Sequence, residues 1–473
     1  MLSAYFPFVI LLVGLVVVIG GIVVLRLHAF LALIAAALVI SLMAPGDWSD
    51  KAARVAIAFG DTAAGVGIVI ALAAIIGAAM TRSGAADRIV GMFLSALGEK
   101  RGPAVLMASG FTLSMPVFFD TVFYLLIPLV RSMYRRLKRN YVLLLMAAAT
   151  ATVAHALVPP TPGPLIIAQT LGVDLGVMIL FGCIVGLPAA ASGLWFAAIV
   201  DRRMPDLQPP ADAPTEDTPT DAAATDHETL PGIAVSLAPI VLPIALITLN
   251  TAVGARTDLA AAAQGSGVAA LLARCIVVAG NPNIALLLSA ATALATLAWW
   301  RRQRLGDLAK TIEHALMSGG MIVLITAAGG AFGGMLRAAG LADAVQQAFG
   351  NHSVGGLGFL LLAFLIAALI RFAQGSTTAA MIVTSAMFAA MISTSGPDAL
   401  GYHPVYLALA IGSGSLVLSW MNDSGFWIFS RMGGLSEAQT LRTWSPLLTL
   451  LGCVAMLINV VLALVLPNAF GLP

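Results

Sequence analysis

The 473-residue sequence predicts an all-α membrane protein of about ten transmembrane helices plus two re-entrant hairpins, arranged as two inverted-topology repeats. Three observations predict it. Charged residues make up 10% of the chain and hydrophobic ones 60%, whereas a soluble domain carries about 25% charged residues. A chain so poor in charge cannot cover its own surface in water, so its solvent is lipid. Apolar runs of roughly 16–25 residues also recur, each near the length that crosses a hydrocarbon core about 30 Å thick. They lack period-two alternation, and unpaired backbone groups are costly in lipid, so the spans are helices and not barrel strands. The third observation is an internal repeat.

The spans lie near 5–25, 29–44, 62–81, 141–170 and 176–200, then 232–250, 283–300, 318–337, 403–430 and 446–467. The first has no charged side chain ahead of it and is too long for a signal-peptide core, which reads as a retained span. Two further apolar segments, 103–130 and 355–386, return through a polar or proline-containing centre and read as hairpins. Residues 201–230, rich in Pro, Ala, Asp and Thr, cannot form a packed core and read as a cytoplasmic linker. The chain thus divides into a first repeat, 1–200, and a second, 231–473. Cys183, Cys275 and Cys453 are widely spaced in apolar segments and form no metal or redox pattern, so no cofactor is implied. A net charge of +2 gives no footprint for nucleic acid.

Orientation follows from Lys and Arg, which favour the cytoplasmic side. The cluster Arg131, Arg135, Arg136, Lys138 and Arg139 belongs inside, as do Arg301, Arg302, Arg304 and Lys310. Both fit if the two hairpins do not cross. Both termini then face outward and most of the 24 Lys and Arg residues face inward. A shift of 256 residues lays Gly77 on Gly333, Gly84 on Gly340, Asp87 on Asp343, and Asp120-Thr121 on Ser376-Thr377. After a short gap, Pro162-Gly163 falls on Ser424-Gly425 and Gly172 on Gly434. The first hairpin is followed by the basic cluster and the second by the uncharged stretch Met387 to Gly396, as opposed orientations require.

Sites in such proteins form where helices break near the midplane, because half-helix ends and freed backbone groups can hold ions. Four breaks stand out. In Ser114 to Phe123, Pro116 disturbs the helix and Asp120 follows in an apolar setting. An Asp at a helix centre costs roughly 2.5–3.5 kcal/mol on insertion scales, which marks it as functional, although it could equally cap a half-helix with Thr121. In His155 to Ile166, four prolines surround Thr161 and Gly163, so the backbone must unwind. His155, one turn earlier, is a proton carrier or a structural donor, since histidine titrates near neutrality. In Arg371 to Met381, Gly375, Ser376, Thr377 and Thr378 offer amides and hydroxyls for binding or capping. Arg371 either meets an anion or, as we favour, balances a carboxylate such as Asp120 or Asp423. In Ser419 to Trp427, Asn422, Asp423, Ser424 and Gly425 interrupt a span at the repeat position of the proline break. Asp423 carries the same two readings as Asp120.

These stretches resemble the gluconate permease family. The matching runs are FFDTVFYLLIPLV (Phe118 to Val130), HALVPPTPGPLIIA (His155 to Ala168), RFAQGSTTAA (Arg371 to Ala380) and GSGSLVLSWMNDSGFWIF (Gly412 to Phe429). GNPNIALL (Gly280 to Leu287) and ITAAGGAFGGML (Ile325 to Leu336) match as well, so the likeness spans nearly the whole chain in order. Thr161 departs from it, standing where gluconate transporters would carry a histidine. The resemblance implies a proton symporter for gluconate or a related acid in the bacterial cytoplasmic membrane, with a D-serine branch as the alternative cargo. It also implies the two-hairpin fold of the ion transporter superfamily and a homodimer. On that reading the substrate carboxylate meets Ser376, Thr377 and Thr378, and its hydroxyls meet Asn422 and the proline break. Protonation of Asp120, His155 or Asp423 would offset the anion's charge. An intramembrane enzyme is disfavoured: Ala58 to Asp61 lacks the first glycine of a GxGD motif, and no HExxH is present. A channel, which broken helices would also suit, is separated by accumulation against a gradient.

Overall fold

The computed structural model describes residues 2–117, 119–137, 139–205, 207–209, 230–254, 259–303, 305–341, 344, 356–392, 400–421 and 423–471. Most of the expected linker lies outside this set, as do Lys138, Arg304, Asp343, Asn422 and the end of the uncharged stretch after the second hairpin. The backbone of Asp120 is described, but its side chain is not.

Among the described residues every regular element is a helix. The first half runs α1 (Leu2–Ile19), α2 (Ala29–Met43), α3 (Asp50–Ser83), α4 (Ala85–Leu97), α5 (Gly102–Leu113) and α6 (Phe119–Leu137). It continues with α7 (Tyr141–Ala149), α8 (Thr152–Leu157), α9 (Pro162–Thr170) and α10 (Leu175–Arg203). The second half runs α11 (Ile233–Gly254), α12 (Leu259–Gln264), α13 (Val268–Ala279), α14 (Pro282–Trp300) and α15 (Leu305–Ala338). It ends with α16 (Leu357–Gln374), α17 (Thr377–Ile392), α18 (Pro404–Gly414), α19 (Ser424–Gly433) and α20 (Glu437–Val465).

Six described spans are long and apolar enough to cross a bilayer, or seven if the two arms of α3, bent by 45° around residue 66, count as one. These coincide with seven of the ten expected spans. The expected spans 5–25 and 29–44 correspond to shorter apolar helices, and 403–430 divides into α18 and α19. Expected hairpin 103–130 is α5 and α6 joined at Ser114–Val117, and 355–386 is α16 and α17 joined at Gly375-Ser376. The amphipathic α4 and the short α12 and α13 had no counterpart in the apolar-run reading.

What surrounds the site is decided by side-chain size. The α7–α9 span is almost wholly enclosed by protein, and its run of Ala and Thr lets neighbouring backbones approach closely, as small residues do in lipid. Helices α3 and α15, 34 residues each, form the most extensive pairing described. Gly330 and Gly334 of α15 would clash with Thr62 and Ala58 of α3 if either bore a Cβ. On the neighbouring face, Gly329 and Gly333 would clash with Ile382 and Ala386 of α17. The second hairpin is therefore packed directly on α15.

Candidate functional site

Each half contributes a hairpin tip and a helix break. In the second hairpin, α16 ends on Gly375, whose φ of 75° lies in the left-handed region that glycine enters without strain. Its N–H donates to the Arg371 carbonyl at 2.8 Å, and the Arg371 guanidinium donates back to the Gly375 carbonyl. Ser376 Oγ then accepts from the Ala379 N–H at 3.2 Å, capping the start of α17.

The second break is held by charge. Asp423 caps α19, with Oδ1 accepting from the Gly425 N–H at 2.9 Å. Its Oδ2 accepts from Arg371 and from Ser419 Oγ. Arg371 is 1% exposed and Asp423 7%. A buried charge without a partner would be severely destabilising, so the ion pair is what allows Arg371 to sit at the end of an apolar helix. Of the two partners considered for Arg371, the described one is Asp423. Asp423 is thus at once the cap of α19 and the counter-charge of Arg371.

The first break is held by neutral groups. Helix α8 stops at Val158, the Pro159-Pro160 peptide is cis, and α9 begins with Pro162 at its first position, where the missing N–H costs nothing. The interrupted helix leaves carbonyls free, and Thr161 Oγ lies 3.0 Å from the His155 carbonyl and 2.8 Å from that of Val158, donating its one hydrogen between them. Gly163 is a packing residue: a Cβ there would collide with Met381 of α17.

These elements enclose a cavity of about 590 Å³. Hairpin one contributes Phe119 and Thr121, and α8 contributes Thr152 and His155. Hairpin two contributes Arg371 and the run Gly375 to Thr378, and the second break contributes Leu416, Asp423, Ser424 and Gly425. Ile322 of α15 and Trp444 and Leu448 of α20 complete the wall. Ser376 and Ser424 are the most open of the hydroxyls, with Thr121, Thr377 and Thr378 half-buried.

Nine residues expected from sequence thus meet in one place: Thr121, His155, Arg371, Gly375, Ser376, Thr377, Thr378, Asp423 and Ser424. Thr161 and Gly163 do not line the cavity; their side-chain positions are committed to the break itself and to helix packing. Asp120 lies in the first turn of α6 with its side chain outside the described set, and Asn422 lies wholly outside it. Sequence reasoning missed Phe119, Thr152, Ile322, Leu416, Gly425, Trp444 and Leu448 as lining residues, although three of the seven fall inside quoted family runs.

The first turns of α6, α17 and α19 all face this cavity. Each carries backbone N–H groups without an intrahelical acceptor and the positive end of a helix dipole. Such ends bind anions well. The aromatic rings of Phe119, Phe123, Phe429 and Trp444 pack with centroids 5.2–5.6 Å apart and brace α6 against α19 and α20.

The profile of the GntP family permeases matches residues 6–465. The chain belongs to that family. The gluconate permease of Pseudomonas aeruginosa is 34% identical over 96% of this chain and 98% of its own length. The Escherichia coli inner membrane permease YgbN is 30% identical over 95% of this chain and 96% of its own. The solved structure of the Alcanivorax borkumensis YdaH transporter superposes with a TM-score of 0.64, at 15% identity, over 94% of this chain and 98% of that one, a likeness of fold. The permease is thus a multi-pass membrane transporter and not an enzyme.

Proposed function

We propose that the permease is a secondary active transporter that takes up gluconate or a related sugar acid across the bacterial cytoplasmic membrane in symport with protons. The observation that carries the anion is the convergence of three helix N-termini on one hydroxyl-lined cavity. The carboxylate lies at the first turns of α17 and α19, beside Thr377, Thr378 and Ser424. The polyol chain extends toward Thr121, Thr152 and His155, with Asn422 as a further hydroxyl contact and Ile322 covering its C–H surface. Thr161 and Gly163 shape the break and leave the contacts to their neighbours. Arg371 is neutralised by Asp423, so amides and hydroxyls hold the anion in place of a free cation. Asp423 has both oxygens engaged, which supports giving the proton-coupling role to His155 or Asp120.

The two-repeat reading gains support from matching element lengths. Helices α3 and α15 have 34 residues each, α10 and α20 have 29 each, and in both halves a hairpin and a broken span lie between them. Opposed repeats of this kind place half-helix ends at the midplane. The assembly we expect is a homodimer.

Uptake of radiolabelled gluconate into proteoliposomes tests the proposal. An inward proton gradient should drive accumulation above equilibrium, a protonophore should abolish it, and unlabelled sugar acids should compete better than D-serine. Equilibration without accumulation would indicate a channel. Stronger competition by D-serine, or no sugar-acid uptake at all, would overturn the cargo assignment.

A further inference from the structure

We propose that Ser419 is a positioning residue that sets the spacing between the two half-helix ends of the second repeat, and that Trp444 holds Ser419 in that role. Ser419 does not line the cavity and is 1% exposed. Its hydroxyl nevertheless uses its whole bonding capacity of one donor and two acceptor sites. It donates to Asp423 Oδ2, accepts from Trp444 Nε1 at 2.8 Å, and accepts from Arg371 Nη2 at 3.1 Å.

Each partner belongs to a different part of the site. Asp423 is the cap of α19, Arg371 grips the carbonyl of Gly375 just before α17, and Trp444 lies in the continuous helix α20. One oxygen atom therefore ties both anion-facing helix ends to a long, unbroken span. Trp444 is 1% exposed, and its indole N–H must find an acceptor there. The ring also presses on the first turn of α19: a Cβ on Gly425 would lie 2.9 Å from its Cζ2. Trp444 thus fixes the cap from two directions, by contact at Gly425 and by a hydrogen bond at Ser419.

Removing the Ser419 hydroxyl leaves the indole N–H buried without its acceptor and takes one donor from Oδ2. The Arg371–Asp423 pair and the bond from the Gly425 N–H to Oδ1 survive, but the carboxylate loses its link to α20 through Ser419 and Trp444. The two helix ends then sample a wider range of separations, and the ordering needed to bind an anion falls on the substrate. The expected effect is on KM and not on turnover, because the groups that touch substrate are all still present.

The kinetic readout rests on the transport reading above, so a second readout independent of substrate accompanies it. Ser419→Ala should raise KM for gluconate about ten-fold, as loss of a hydrogen bond to a charged pair does, with little change in maximal rate per folded transporter. Ser419→Thr should restore most of the affinity. Spin labels on Thr378→Cys and Ser424→Cys, with Cys183, Cys275 and Cys453 replaced by serine, should report a narrow separation that Ser419→Ala broadens. An unchanged label separation in Ser419→Ala would overturn the inference whatever the cargo. So would an unchanged label separation in Trp444→Phe, which removes the indole N–H that donates to Ser419. Absence of gluconate uptake by the unaltered protein would overturn the cargo assignment, and the label separation would still decide the role of Ser419.

Discussion

The two helix breaks occupy corresponding places in the two halves and are built from opposite materials. The first, Val158 to Pro162, is closed by prolines and one threonine hydroxyl, and every residue in it is buried. The second, Ser415 to Asp423, is held by a buried ion pair and its serine, and opens onto the cavity at Ser424. Proline terminates a helix by removing donors and leaves little to solvate, so that break can be sealed. Asp423 terminates one by capping, which keeps the next helix's N-terminus accessible. One break sets the geometry of the bundle, and the other presents polar groups to the cavity.

The largest effect should come from breaking the charged side. Asp423→Ala or Arg371→Gln leaves one buried charge unpaired, which should cost about 3–5 kcal/mol and abolish uptake. The double variant Arg371→Gln with Asp423→Asn should recover much of the thermal stability in detergent, though not the affinity. If the single variants melted like the unaltered protein, the ion pair would not be what holds this break.

A smaller and different effect should follow from disturbing the sealed side. Thr161→Ala strands the carbonyls of His155 and Val158 and should lower stability by about 1–3 kcal/mol, with KM for substrate unchanged. Gly163→Ala should act likewise through Met381, at about 1–3 kcal/mol for overpacking, and a shorter residue at 381 should relieve it. A raised KM in Thr161→Ala at normal stability would make the first break a binding element after all.

The smallest effect belongs to a single cavity hydroxyl. Thr378→Val keeps shape and helix while removing one donor, and should raise KM about five-fold, equivalent to roughly 1 kcal/mol, with no loss of thermal stability. Together these variants separate the break that binds from the break that braces.

The sequence made the breaks legible because Pro, Gly and an isolated charge cannot continue an apolar helix without consequence. It offered Asp120 and Asp423 as examples of carboxylates that Arg371 could balance for the same reason. Position within a break does not reveal that the Thr161 hydroxyl is already consumed by freed carbonyls, off the cavity wall. Trp444, Leu448 and Ile322 were invisible for another reason. They sit inside regular helices, where an apolar side chain facing the cavity looks like one facing lipid. Their role arises only when α15 and α20 are packed beside the hairpins. Helix ends are less legible: α1 passes without a gap into a π-helical turn at Gly20–Val24 and α2 spans 15 residues, because length is set by caps and turns that hydropathy does not register.

The Arg371–Asp423 pair also has a consequence for how the protein is made. Its members are 52 residues apart in the chain, so at roughly 5–20 residues per second the arginine emerges some 3–10 s before its counter-ion. An unpaired arginine in an apolar segment resists lipid by roughly 2.5–3.5 kcal/mol at the helix centre. Arg371 lies in the last turn of α16, so this cost is an upper bound for the interval in which the apolar length of the hairpin carries an uncompensated charge. The second hairpin reaches its charge-balanced state only after the segment bearing Asp423 has been made.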